Sequence, residues 1–231
     1  DMAILPDGSI IVAGLVGDVT GSEFLLMRYH SDGRLDTSFG NNGRTETNFG
    51  GFDVANAVVV QPDQMIVVAG TSNQTTRNSF ALARYYPNGD LDTSFGINGL
   101  VLTNFGSNTA GAQDVTFHDG KIIAVGSAEA GTGDLIRTVI AVARYDANGN
   151  LDTSFDTDGL VTTDFGIRTR AVAQAVTVHS GPSGPGIVVA GSLTRNNTSD
   201  FVLARYEAAG VIDRTFGDPV DPNNPSLRRG T

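Results

Sequence analysis

The phrase Leu-Asp-Thr-Ser-Phe occurs at residues 35–39, 91–95 and 151–155, and an eroded copy, Ile212-Asp-Arg-Thr-Phe216, follows. The copies are spaced 56, 60 and 61 residues apart. A long, nearly constant period means a supersecondary unit repeated in tandem, each unit burying an apolar face against the next. That requirement limits the fold of this 231-residue chain to a stack of similar units.

The second unit shows what is repeated. Residues 55–60 are a short apolar run ended by Gln61-Pro62-Asp63-Gln64, and residues 65–70 form a second run, Met-Ile-Val-Val-Ala-Gly. Apolar, β-branched runs bounded by turn residues read as strands. A polar loop over 71–79 precedes Phe80-Ala-Leu-Ala-Arg-Tyr85, after which Pro87-Asn88-Gly89 marks a tight turn, because Asn-Gly accepts positive φ. The Leu-Asp-Thr-Ser-Phe corner then leads through Ile97-Asn98-Gly99 into a fourth strand at 100–105. The first two strands are apolar on both faces, as inner strands between neighbouring sheets should be, and the alternating fourth should lie outermost.

Four antiparallel strands per unit of about 55–60 residues, joined by hairpins and repeated, is the pattern of a β-propeller blade. A parallel β-helix is opposed by the hairpin signals Asn88-Gly89 and Asn148-Gly149. The expected organisation is an all-β propeller of four tandem blades at approximately 1–50, 51–106, 107–166 and 167–217, the last incomplete, followed by a Pro-rich tail or linker at 218–231. The first unit begins within its first strand and the fourth stops after its third, so the reading admits a closed four-blade ring, two chains making eight blades, or part of a longer propeller.

The units resemble the bacterial delta-60 repeat family through residues 5–14 (Leu-Pro-Asp-Gly-Ser-Ile-Ile-Val-Ala-Gly), 61–70, 80–85, Phe201-Val-Leu-Ala-Arg-Tyr206 and the four corner phrases. The resemblance covers nearly all of residues 1–217. It implies a propeller within large bacterial proteins, extracellular or on the cell surface, and it brings no assigned catalytic residue.

Composition removes several classes of function. The formal net charge is -10, with a single lysine, Lys121, and no basic stripe, which argues against a nucleic-acid surface. There is no cysteine, so thiolate metal sites, thiol nucleophiles and disulfide frameworks are out of reach. No apolar run approaches the length that a membrane-spanning helix needs.

Residues that recur in every unit are expected to be structural. The pairs Arg28-Tyr29, Arg84-Tyr85, Arg144-Tyr145 and Arg205-Tyr206, with Asp36, Asp92, Asp152 and Asp213, read as strand arginines meeting corner carboxylates or turn carbonyls. Function is sought where the copies differ. The loops at 15–23, 71–79, 127–139 and 192–200 vary most and should share one rim with the connections between units, beside Asp53, Arg77, Arg168, Arg170 and Arg195. Asn56, Gln113 and Gln174 hold equivalent places near the start of each first strand and could form an amide ring at the axis. With Arg168 and Arg170 they are the expected ligand-binding residues. Asp146, Asn148 and Asp152 space oxygen ligands as a short calcium loop would, although the equivalent positions in other units vary and a hairpin turn serves as well.

The expected function is a non-enzymatic module that binds or assembles through its variable loop face, with a glycan, another polar ligand or a protein as partner. A homodimer is open to it, and neither nucleic acid nor membrane insertion is expected. The alternatives are a propeller enzyme of hydrolase, lyase or quinone-dependent type with its site at the channel mouth, and an architectural protein that self-associates into dimers or fibres. No cofactor is required by this reading, calcium being the single candidate.

Overall fold

The computed structural model describes residues 1–18, 20–74, 77–106, 109–181, 184–216, 218–219 and 228–229. Blade one comprises β1 (Met2–Ile4), β2 (Ile10–Asp18), β3 (Gly21–Tyr29) and β4 (Arg44–Thr47). Blade two follows with β5 (Phe52–Val60), β6 (Ile66–Asn73), β7 (Ser79–Tyr85) and β8 (Leu100–Thr103). Blade three is β9 (Ala110–His118), β10 (Lys121–Ala130), β11 (Arg137–Tyr145) and β12 (Leu160–Thr163), with one 3-10 turn, Gly133–Leu135, between β10 and β11. Blade four contains β13 (Thr169–Gly181), β14 (Gly184–Arg195) and β15 (Thr198–Glu207). Of the tail, β16 (Asp218–Pro219) pairs with β17 (Arg228–Arg229), which lies beside β15, and the rest of the expected linker falls outside the described residues.

Pairing within each blade is antiparallel and sequential. Successive inner strands β5, β9 and β13 pack on one another along the axis, which leaves β4, β8 and β12 on the outside. Single parallel bridges, Ser22 with Phe52 and Thr138 with Arg170, join blade one to two and blade three to four at one rim. The chain is an all-β propeller of four blades.

The core lies between blades. Phe24, Leu26, Ile66, Val68 and Tyr85 fill the first interface, Phe80, Leu82, Ile122 and Tyr145 the second, and Val125, Val142, Ile187 and Tyr206 the third. Because β-strand side chains alternate in direction, one strand serves two interfaces: Leu82 faces blade three while Ala81 and Ala83 face blade one. That dual duty is why the inner strands are apolar on both faces.

The rim expected to carry variable loops is built mostly of strands. The predicted loops at 15–23 and 192–200 are the ends of long hairpins, β2–β3 and β14–β15, the second turning at Asn196 and Asn197 with φ of 50° and 66°. Strands continue here past the buried core because ladder hydrogen bonds need no apolar side chains, and paired positive φ values suit the twist of a two-residue turn.

The inner strands β5, β9 and β13 each carry a β-bulge. Register slips between Ala55 and Ala57, between Ala173 and Ala175, and at Gln113 opposite Val125 and Gly126. The extra residue pushes the bulged backbone toward strand two of its blade, where a glycine receives it: a Cβ on Gly70, Gly126 or Gly191 would run into the carbonyl oxygen of Val54, Gly111 or Val172. Gly14, the equivalent in blade one, meets nothing within 4 Å. In blades two to four the glycine that ends the second apolar run is therefore a bulge seat.

The repeated corner is a clasp. In every blade the strand-three arginine stacks over the corner phenylalanine, with Arg28, Arg84, Arg144 and Arg205 at 5.0, 4.9, 4.6 and 4.9 Å from the rings of Phe39, Phe95, Phe155 and Phe216. The same guanidinium holds the corner carboxylate: Arg28 Nε donates to Asp36 at 2.7 Å and Arg84 Nε to Asp92 at 2.7 Å. The other carboxylate oxygen accepts the amide and hydroxyl two residues on, as Ser38 to Asp36 at 3.0 and 2.6 Å. Arginine Nη1 then reaches the next blade, donating from Arg28 to the Pro87 carbonyl at 2.7 Å, from Arg144 to Ala208 at 2.5 Å, and likewise from Arg84 to Ala147. In return the next blade's buried tyrosine bonds the outer strand, Tyr85 to Thr47 and Tyr145 to Thr103 at 2.8 Å and Tyr206 to Thr163 at 2.6 Å.

The clasp fixes protonation. The Ser38 hydroxyl, with its amide and Arg28, holds Asp36 down at about 2, and the Thr215 hydroxyl with Arg205 holds Asp213 at about 2. Burial pushes Tyr206 up to about 12, partly offset by Thr163.

Two measurements test this framework. Gly126→Ala should lower stability by about 2–4 kcal/mol through backbone overlap, whereas Gly14→Ala should shift it by less than about 1 kcal/mol, as read from urea unfolding midpoints. Depressed carboxyl pKa values stabilise the fold fully above the ordinary carboxyl range, and that share is lost as pH falls through the folded values. The midpoint should thus hold between pH values of about 5 and 7 and decline from about 4 toward 2. An Asp36→Asn, Asp213→Asn variant should start lower at neutral pH and decline less.

Candidate functional site

The bulges place one residue of each of the inner strands β5, β9 and β13 outside the ladder, and a bulge is a device that re-aims a side chain. Those residues are Asn56, Gln113 and Gln174. They differ in what they touch. Asn56 is half-buried and its Nδ2 donates to the Ala112 carbonyl of the next inner strand at 2.7 Å, so it ties blade two to blade three. Gln113 and Gln174 are exposed and make no side-chain hydrogen bond among the described residues.

Beside the amides lies a feature that sequence reading passed over. Asp114 Oδ2 accepts the Val176 N–H of the next blade at 2.7 Å, and its Oδ1 accepts the Val115 N–H at 2.8 Å. Burial raises the Asp114 carboxyl above its ordinary value, against the pull of those two amides. Asp1 holds the equivalent place in blade one, where its Oδ2 accepts the Val58 N–H at 2.9 Å. Alanines 57 and 175 stand there in the other blades, so acid and alanine alternate around the axis. The alternation was visible in an otherwise constant register, but its meaning needed the inter-blade contact.

Arg168 and Arg170 are both exposed where the chain enters blade four, Arg168 in a turn with φ of 60° and Arg170 on β13 opposite Thr138. They share their rim with the hairpins between second and third strands. Arg77 is also exposed there, and Arg195 Nη2 donates to the Phe165 carbonyl at 2.9 Å. Asp53, expected on this surface, is instead fully buried: its Oδ2 accepts the Phe49 N–H at 2.7 Å and its backbone is bracketed by the Ser22 hydroxyl. It is a joint between blades one and two. Its sequence neighbours gave no sign of burial because the bridge from Ser22 is set by tertiary structure.

A polar cleft of about 700 Å³ opens on this rim beside the β2–β3 hairpin, lined by Asp18, Thr20, Ser22, Glu23, Glu46 and Asn48. On the opposite rim a cavity of about 420 Å³ between blades three and four is lined by His118, Lys121, Arg144, Ser154, Val178 and Ile187. Lys121 Nζ lies 3.0 Å from Asp152 there, at a place where Ser9, Met65 and Gly186 stand in other blades.

The residues of the candidate calcium loop are engaged by protein donors. Asp146 accepts the backbone N–H groups of Asn148 and Asn150 at 2.8 and 3.0 Å and the Asn150 side-chain amide at 3.0 Å. Asp152 is bound by Arg144, Lys121 and Ser154. Although burial opposes it, these donors hold Asp152 below the usual carboxylate range. Among the described residues, no group of three or more His, Asp or Glu side chains is arranged to hold a metal ion.

No curated protein matches the chain. Among solved structures, the α-L-arabinanase of Cellvibrio cellulosa is similar at a TM-score of 0.50 and 9% identity, over 93% of this chain and 76% of that one. The same enzyme complexed with arabinohexaose aligns at a TM-score of 0.48 and 9% identity, over 99% of this chain and 78% of that one. The likeness is one of fold. It nonetheless corrects the expectation that the chain is not an enzyme, which was drawn from the lack of a legible catalytic constellation, because this propeller architecture is one that an arabinanase uses. Regular blades report how a core is packed and leave the chemistry of rim and axis open. The repeats at residues 5–39, 61–95, 118–155 and 187–216, more than half of the chain, match one family, and the protein belongs to it: the family described as domain of unknown function (DUF5122) beta-propeller.

Proposed function

We propose that this propeller is a recognition module for a polar ligand of the carbohydrate class, bound at the axial mouth on the rim that bears Arg168 and Arg170. One observation carries the reading: the bulges of blades three and four leave Gln113 and Gln174 exposed with both amide groups unspent, beside backbone that Asp114 and Asn56 hold rigid. A primary amide offers a donor and an acceptor side by side, which matches vicinal hydroxyl groups. Arg168 and Arg170 add forked donors suited to ring oxygens or a carboxylate substituent. Rigid backbone under such groups limits the entropy lost on binding. The resemblance of the repeat phrases to the delta-60 family supports a location outside the cell or on its surface, where such ligands occur.

The test is titration calorimetry against a panel of soluble oligosaccharides, with reducing-end release followed in the same samples to detect turnover. Gln113→Ala, Gln174→Ala together should weaken binding at least about tenfold while leaving the melting temperature within about 2 °C. Asn56→Ala should instead cost about 1 kcal/mol of stability, because it deletes the bond to the Ala112 carbonyl. Absence of binding across the panel, or binding indifferent to the double variant, would overturn the assignment.

A further inference from the structure

We infer that the cavity between blades three and four binds a small carboxylate with an apolar body, its anionic end held by Lys121 and Arg144. The cavity holds about 420 Å³, within the range that takes small ligands. It lies on the rim opposite Arg168 and Arg170, so it is separate from the carbohydrate site and either can fail without the other. Both of its sides come from adjoining blades of the chain. Ile123 of blade three and Ile187 of blade four, each 3% exposed, line it and belong to the core packed between those blades.

Differences between the copies open it. At the preceding interface, between blades two and three, Phe117 pairs with Ile122 across the ladder, and Asn148 holds the third place of the turn after β11. Blade four has Val178, paired with Ile187, and Ala209 at those places, so a ring and an amide give way to smaller side chains. Interiors are ordinarily packed without such space. The wall that remains on the blade-four side is apolar, formed by Val178, Pro185 and Ile187.

The blade-three side carries a cation that the other blades lack. Lys121, the chain's single lysine, stands where blades one and two have Ser9 and Met65. Its Nζ lies 3.0 Å from Asp152 Oδ2, the oxygen that also accepts from Arg144 Nε at 2.9 Å. In blades one and two the corner carboxylate meets one arginine, Arg28 on Asp36 and Arg84 on Asp92. Here two cations share one carboxylate, which leaves a positive charge over. The acceptors are spent: Asp152 Oδ1 takes the Ser154 amide and hydroxyl at 3.2 and 2.7 Å, and the Ser154 oxygen accepts from Arg144 Nη2 at 3.0 Å. Donors remain, because Asp152 takes one N–H group of the ammonium, while Asp152, Ser154 and the Ala208 carbonyl take three of the five on the guanidinium. A donor-rich end with one charge to spare, beside apolar walls, suits a monoanionic carboxylate, whose bonds to such donors are charge-assisted. The exposed carboxylate of Asp119, which also lines the cavity, disfavours a dianion.

Methyl NMR of the whole chain, titrated with 4-phenylbutyrate, tests the site, with 4-phenylbutyramide and phenyl phosphate as neutral and dianionic arms. Saturable shifts of the Ile123, Val178 and Ile187 methyl groups are expected at a Kd of about 0.1–1 mM, the affinity that a probe of this size reaches. The amide and the phosphate should each bind at least about tenfold more weakly, a comparison that needs no variant. Lys121→Met, which copies Met65, should weaken binding of the acid at least about tenfold, and Val178→Phe, which copies Phe117, should abolish it by filling the cavity. Each variant borrows a residue that another blade carries at the same place, and a melting temperature within about 3 °C of the native value establishes that it is folded. The inference fails if the acid gives no saturable shift, if the amide binds as well as the acid, if the phosphate binds more tightly, or if folded Lys121→Met keeps full affinity.

Discussion

One guanidinium per blade organises this protein. Each arginine is stacked on the phenylalanine of its own corner and bound to the aspartate of that corner, and Arg28, Arg84 and Arg144 keep one N–H group aimed across to the next blade. A planar fork with five donors can serve two partners at once in fixed directions, which a lysine could not do. Folding the corner therefore also defines where the neighbour must sit. With the tyrosine-to-threonine bond running the opposite way, each interface is sealed from both sides.

This role explains which letters of the phrase survive. The eroded copy Ile212-Asp-Arg-Thr-Phe keeps the carboxylate, the hydroxyl two residues later and the aromatic ring, and those are the three groups the arginine and the turn require. Arg214 replaces a threonine whose side chain the clasp does not use. Burying an ion pair is costly unless its remaining donors and acceptors are met. Here they are met by the hydroxyl, the amide and the cross-blade carbonyl, so the pair can be nearly water-free at Asp92 and still be stable.

The bulge is the second repeated device, and it connects packing to function. One extra residue in the inner strand frees an amide from the ladder, while the glycine behind it accepts the displaced backbone. The blades then use that freedom differently. Asn56 spends its amide on the next blade, whereas Gln113 and Gln174 leave theirs exposed. Identical backbone thus carries side chains with different partners.

From the sequence alone came the period, the four units, the order of strands and the structural nature of the recurring Arg, Tyr and Asp, because each rests on local patterning and turn chemistry. Hairpin lengths on the rim were misjudged, since polar residues can prolong a ladder without an apolar signal. The burial of Asp53, the cross-blade bond of Asp114 and the pairing of Lys121 with Asp152 were illegible, because each depends on residues 31 to 62 positions away in sequence. Tertiary structure alone decided which amides remain exposed and which are spent between blades, for those properties follow from how separate units stack. A repeat states what every blade must share, and only the arrangement of blades around the axis shows which side chains that shared packing leaves free.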